Sequence, residues 1–162
     1  LKSANYLKLN PMGRVPTIVD GEVVLFESAA ICMYLADKYS LGKLAPKFDD
    51  PTRADYTKWM IWSVGSLECV VARMFTHTKN EEEKKITHAY VKEQCEILLK
   101  PLLEVLSKQE YILKSGFSAA DIMLAAIIPG AYDYIVKDRS ILKEYQEKLM
   151  KRPAAIKAKV FE

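Results

Sequence analysis

Between Asn10 and Tyr39 the hydrophobic pattern changes period, and that change constrains the fold more than any other feature of the chain. The segment opened by Val15-Pro16 reads as a short strand. Asp20-Gly21 reads as a tight turn, and Val23-Val24-Leu25-Phe26 as a second strand. Ala29-Ala30-Ile31-Cys32-Met33-Tyr34-Leu35 then continues with helical character, ending near Tyr39. Gly42, Pro46, Asp49, Asp50 and Pro51 punctuate the stretch that follows, which reads as a linker. Beyond it every periodic segment is helical. The expected helices run from Thr52 to about Thr76 and from about Asn80 to Leu106, with shorter ones after Ser118, Asp138 and Pro153.

Two dipeptides at element boundaries carry chemical information. Pro16 has no N–H to give to a sheet ladder, and an X-Pro bond in a tight turn is where a cis peptide is tolerated. A cis Val15-Pro16 bond would leave the Val15 N–H and C=O facing outward, able to pair with an extended ligand as an added strand does. Pro16 also suits a plain edge-strand start. Glu27-Ser28 stands at a helix N-terminus, where free N–H groups and the dipole favour an anion. Ser28 adds a hydroxyl there, and Glu27 suits a ligand ammonium. The same two residues also serve as ordinary helix punctuation.

In order, these pieces read NPxGxVP from Asn10 to Pro16, a DG turn, an apolar strand, ES, and a helix closing on Leu35-Ala36-Asp37-Lys38-Tyr39. This arrangement resembles the end of the thioredoxin-like domain of the cytosolic glutathione transferase family. A second block, Phe117-Ser118-Ala119-Ala120-Asp121-Ile122, reads as a capping box with Ser118 as N-cap and Asp121 at N3. Phe117 and Ile122 form a hydrophobic staple around it. It is similar to the FSxAD signature in that family's all-helical domain. The late segment from Tyr145 to Pro153 is similar too, so the resemblance covers nearly the whole chain.

The resemblance implies a mainly α protein. Residues 1–39 would be the C-terminal part of a thioredoxin-like α/β domain, 40–51 a linker and 52–162 an all-helical domain. It implies glutathione as co-substrate, the Val15 main chain (with Pro16 setting the turn) on its cysteinyl part, and Glu27 and Ser28 on its γ-glutamyl end. Arg14 occupies a position that is often basic in this family. Met60, Arg73, Met74 and Phe75 fall on the helix that helps line the family's pocket for the electrophile. The implied activity is conjugation of the glutathione thiolate to an electrophilic small molecule by a homodimer. Ala29, Ala30, Met33 and Met60 offer apolar faces for that dimer. The alternative is a non-catalytic dimerisation or docking module of the same fold. Leu1 aligns with the end of the family's second helix. The catalytic Ser, Cys or Tyr is therefore expected ahead of Leu1, and no residue of this chain receives that role.

Composition narrows the remaining classes. A formal charge of +3 spread over 162 residues gives no basic stripe for nucleic acid. No apolar run reaches the roughly 18 residues of a membrane span, and Ile122–Ala131 reads as a core helix broken by Pro129. Cys32, Cys69 and Cys95 are odd in number and show no CxxC spacing, which argues against a disulfide framework and against a zinc site. They read as buried reduced thiols, in keeping with a cytoplasmic protein. His77 and His88 lack the spacing of an i,i+4 metal pair and read as surface or helix-end residues, so no metal is expected. Trp59 and Trp62 share a helix face and read as core or interface packing.

Overall fold

The computed structural model describes residues 1–76 and 78–161. His77, read above as a surface residue, lies outside the described residues. The chain opens with a short helix α1 (Ala4–Leu9), then strands β1 (Thr17–Asp20) and β2 (Val23–Phe26) and helix α2 (Ser28–Tyr39). The strands pair antiparallel from Thr17↔Phe26 to Asp20↔Val23, so Gly21-Glu22 forms a two-residue turn. Gly21 has φ +62°, the left-handed conformation such a turn demands.

The rest is helical, as the sequence predicts. α3 (Arg53–Trp62) leads into a π-helical segment (Ser63–Glu68), a single α-turn α4 (Cys69–Val71) and a 3₁₀ turn (Ala72–Phe75). The helix expected as uniform from Thr52 to Thr76 is thus continuous in path but changes its winding. Ser63 Oγ donates to the Trp59 carbonyl at 2.8 Å and competes with the main-chain ladder. Gly65 adds no side chain to hold an α-turn together. α5 (Glu81–Leu106) is capped by Asn80, whose Oδ1 accepts the Glu83 N–H at 2.8 Å. α6 (Ala119–Ile127) ends in a 3₁₀ turn (Ile128–Ala131) that carries Pro129. A short helix α7 (Tyr132–Ile135), not predicted from sequence, precedes α8 (Ser140–Met150) and α9 (Pro153–Lys157).

One apolar core runs through the molecule. Ala29 and Ala36 of α2 join Tyr56, Trp59 and Met60 of α3, Leu67, Val91, Leu99, Leu124 and Leu142. Met60 is fully buried and Ala29 nearly so. Neither is therefore available as the outward dimer face proposed from sequence, because each is used by the chain's own interior. Trp59 is buried and meets Trp62 edge to face at 5.0 Å, a packing pair. His88 is not a free surface residue. Its Nδ1 lies 2.7 Å from the Tyr134 hydroxyl. Of the three cysteines only Cys95 is buried, whereas Cys32 is half-buried and Cys69 exposed. The Tyr56 hydroxyl is buried without a partner among the described residues, and burial pushes its pKa up to about 12.

Two polar clusters fix the pieces relative to one another. Asp121 is fully buried. Its Oδ1 accepts from the Ile112 N–H at 2.9 Å and the Tyr145 hydroxyl at 2.7 Å. Its Oδ2 accepts from the N–H and hydroxyl of Ser118 at 2.8 and 3.1 Å. The predicted capping box is formed, and it also ties α6 to the preceding loop and to α8. Desolvation still holds the Asp121 pKa above the usual carboxylate range. Phe117 and Ile122 line one hollow, and the Arg152 guanidinium lies 3.4 Å from the Phe117 ring centroid.

The second cluster centres on Asp20 at the end of β1. Its Oδ2 accepts from Lys38 at 2.8 Å, Tyr34 at 3.0 Å and Tyr39 at 2.6 Å, pinning the hairpin to the end of α2. The Lys38 hydrogen bond, then those of Tyr39 and Tyr34, hold the Asp20 pKa down to about 2.

Removing the Asp121 carboxylate strands several buried donors at once. Asp121→Ala should cost about 3–4 kcal/mol in urea unfolding, and Tyr145→Phe, which removes one donor, about 1 kcal/mol. Because the Asp20 pKa is depressed in the folded state, its contribution is complete above the ordinary value of 3.8 and lost as pH falls through about 2. Amide protection factors in β1 should drop across that window relative to α5, and Asp20→Asn should show the lowered protection already at neutral pH.

Candidate functional site

A side chain that the sequence offers only as the start of NPxGxVP, with no role of its own, builds the first wall of the main cleft. Asn10 is 1% exposed. Its Nδ2 donates to the Arg14 carbonyl at 2.8 Å and to Thr17 Oγ1 at 3.2 Å, while its Oδ1 accepts the Met12 N–H at 3.0 Å. The Tyr6 hydroxyl donates to the same Arg14 carbonyl at 2.5 Å. Gly13 passes beneath this knot at φ +61°, where a Cβ would stand 2.9 Å from Lys2 Nζ and 3.1 Å from the Leu1 carbonyl oxygen. Only glycine fits there.

The knot consumes the polar groups on either side of Val15 and leaves Val15 itself open. The Val15-Pro16 peptide is cis, and the β ladder begins only at Thr17. Among the described residues neither main-chain group of Val15 has a hydrogen-bond partner. The residue is 65% exposed and lines the cleft.

Glu27 and Ser28 stand beside it. Glu27 holds φ +75°, ψ 115°, a conformation that non-glycine residues rarely adopt and that costs of order 1–3 kcal/mol. It serves as N-cap of α2, yet its side chain caps nothing. The first helical bond is Ile31 N–H to the Glu27 carbonyl at 2.9 Å. The N–H groups of Ser28, Ala29 and Ala30 therefore have no acceptor among the described residues, and neither carboxylate nor hydroxyl of this pair is engaged. Open first-turn donors at the positive end of a twelve-residue helix form an anion site, with a free carboxylate beside it for a cation.

The opposite wall is the π-helical segment and the turn after it. Val64, Gly65, Glu68, Cys69 and Ala72 face the hairpin across a cleft of about 520 Å³. The small residues keep this wall low, and Glu68 gives it a second negative charge. Cys69 is exposed because it lies on the face opposite the buried Leu67 and Val71, and its thiol donates to the Val64 carbonyl at 3.2 Å. Val15, Pro16, Glu27 and Ser28 thus share one cleft, together with Asn10 and Arg14. Among the residues assigned to an electrophile pocket, Arg73 lines an adjoining hollow. Met60 is sealed in the core, Met74 packs partly against it, and Phe75 is largely exposed.

The arrangement presents an unpaired main-chain edge, an anion-accepting helix start and an isolated carboxylate within one cavity. It suits a short zwitterionic peptide. Among the described residues no group of three or more His, Cys, Asp or Glu side chains is placed to hold a metal ion. No helix among the described residues is long and apolar enough to cross a membrane.

Comparison with known proteins agrees with the fold. The pattern defining the glutathione S-transferase N-terminal domain matches residues 1–37, and that of the glutathione S-transferase C-terminal domain matches residues 67–159. The chain is 30% identical over 162 residues to the glutathione S-transferase GstB of Escherichia coli, covering 95% of this chain and 77% of that protein. A beta-class glutathione S-transferase from Sphingomonas chungbukensis superposes with a TM-score of 0.78 at 27% identity, covering 94% of this chain and 77% of that one. A glutathione transferase homologue from Lodderomyces elongisporus, crystallised with two GSH per subunit, shares the fold at a TM-score of 0.79 and 22% identity, covering 96% and 79%. Two domain patterns, read in the same order as the hairpin–helix unit and the helical array, establish that this chain belongs to the glutathione S-transferase family.

Proposed function

We propose that the cleft binds glutathione and that the protein conjugates the glutathione thiolate to an electrophilic small molecule. The observation that carries this reading is the set of unused groups at the α2 start: three N–H donors, the Ser28 hydroxyl and the Glu27 carboxylate, next to the unpaired main chain of Val15. In this reading the γ-glutamyl carboxylate lies on the α2 first turn and accepts from Ser28, while its ammonium meets Glu27. The cysteinyl N–H and C=O pair with the Val15 main chain, which fixes the peptide in extended form. Pro16 sets the turn that presents Val15.

Conjugation needs the thiolate, because the thiol is a poor nucleophile. The contribution assigned to these residues is orientation: a peptide held at two points has one direction in which to present its sulfur. No residue of this chain is assigned to thiolate stabilisation. The same reading takes residues 1–39 as the glutathione-binding unit, 40–51 as a linker and 52–162 as the helical domain. It takes the working protein to be a cytoplasmic homodimer.

Calorimetric titration with reduced glutathione tests the binding half. Glu27→Ala should weaken binding about tenfold, the scale of one charge-assisted hydrogen bond, and an unchanged affinity would reject the assignment. Glu27→Gly should lose the same affinity yet be more stable than Glu27→Ala by about 1 kcal/mol in urea, because only glycine relaxes the positive φ. Turnover with a panel of aromatic halides tests the catalytic half. Glutathione binding with no rate for any of them would leave a binding module.

A further inference from the structure

A second hollow adjoins the first and shares its floor. Cys69 and Ala72 line both, and the second also measures about 520 Å³. One side of it is formed by Arg73 and Thr76 at the end of the helical wall. The other side is formed by Ile86, Thr87 and Tyr90, which fall on one face of α5. The Arg73 guanidinium lies 5.1 Å from the centroid of the Tyr90 ring. Among the described residues no carboxylate lies within ion-pair distance of Arg73. Glu83, one turn earlier on the same α5 face, is the acid nearest in sequence on that face. Its Oε2 is engaged by the Lys79 N–H at 2.6 Å. The Thr76 hydroxyl donates to the Arg73 carbonyl at 2.6 Å and so keeps its own lone pairs open.

The two cavities differ in charge. Glu27 and Glu68 line the first together with Arg14, whereas Arg73 lines the second with no carboxylate partner among the described residues. An anionic group on a ligand is repelled beside Glu68 and attracted at Arg73, where the planar guanidinium offers two parallel N–H donors. The Tyr90 ring and Ile86 offer apolar area to the body that carries the anion.

We propose that the acceptor substrate of this reaction is an acid, selected by Arg73 in the second hollow: an aromatic or unsaturated body bearing a carboxylate or sulfonate remote from its reactive carbon. Arg73 holds the anionic end and Tyr90 packs on the body, while Glu68 excludes the reversed orientation. The inference rests on the glutathione reading of the first cleft, since the acceptor must approach a sulfur anchored there. The S-substituent of a glutathione conjugate then crosses the Cys69–Ala72 floor into the second hollow.

The test is equilibrium binding of three stable conjugates to the protein: S-methylglutathione, S-benzylglutathione and S-(para-carboxybenzyl)glutathione. The carboxylated conjugate should bind about three- to tenfold tighter than the benzyl one at low salt, with the advantage shrinking as ionic strength rises to about 0.5 M. Arg73→Gln should abolish that preference and leave S-methylglutathione affinity within about twofold, as expected for an exposed side chain outside the first cleft. Equal affinity of the two benzyl conjugates in the wild type overturns this inference alone. A preference that survives in Arg73→Gln overturns it as well. Failure of S-methylglutathione to bind overturns the glutathione reading, and this inference falls with it.

Discussion

The Arg53 side chain sets the angle on which the cleft depends. Its guanidinium forks onto both oxygens of Asp37 near the end of α2, at 2.6 and 2.9 Å. The same group donates to the Pro46 carbonyl in the connecting segment at 2.8 Å. It lies over the rings of Phe48 and Tyr56, at 4.1 and 5.0 Å from their centroids. Arg53 is the first residue of α3, so one planar cation joins α2, the connection and the helical array. A lysine cannot reproduce this geometry, because its three donors radiate from one nitrogen and it has neither a planar fork nor a flat face. Behind the fork, Ala29 and Ala36 keep α2 close to its neighbours. The α2 start is thereby held opposite the Ser63–Glu68 wall at a fixed separation.

Local stability is given up at one residue. Glu27 is a non-glycine at positive φ, and it leaves the α2 first turn uncapped by its own side chain. An Asn, Asp or Ser in an extended N-cap conformation would satisfy those donors within the chain. The fold keeps them open instead, and the core beneath α2 offsets the strain. Asp20 at the far end of α2 contributes to that hold through three donors on one oxygen. The helix is tied firmly at its C-terminal end and left chemically unfinished at its N-terminal end.

The sequence made the outline of this molecule readable because its strongest signals are local. The Ser118–Asp121 capping box is written in neighbouring residues and forms as its pattern predicts, and the hairpin turn falls on Gly21-Glu22, one residue beyond the Asp20-Gly21 pattern. Val15, Pro16, Glu27 and Ser28, which line one cleft, stand out in the sequence as candidates because Pro and helix-start chemistry are local as well. Asn10 stands in the sequence only as the first residue of NPxGxVP, and its bracing role is not legible there because its partners, Met12, Arg14 and Thr17, are gathered only by the folded loop. Cys69 reads as buried because it falls in a helical pattern with no CxxC spacing. Its exposure depends on which helix face meets the hairpin. His88 gained its partner from Tyr134, 46 residues away, a distance no periodicity spans.

The π-helical segment has a consequence for how this wall can change. A π turn closes its hydrogen-bonded ring over one more residue than an α-turn does. The chain therefore accommodates an extra residue between Ser63 and Glu68 without rotating what comes before or after it. Met60 on one side and Val71 on the other both remain in the core. A change in chain length here is absorbed as a local bulge, and the bulge faces the cavity. The contour of the cleft can accordingly be altered by insertion or deletion of a single residue, while the register of the surrounding helices stays as it was.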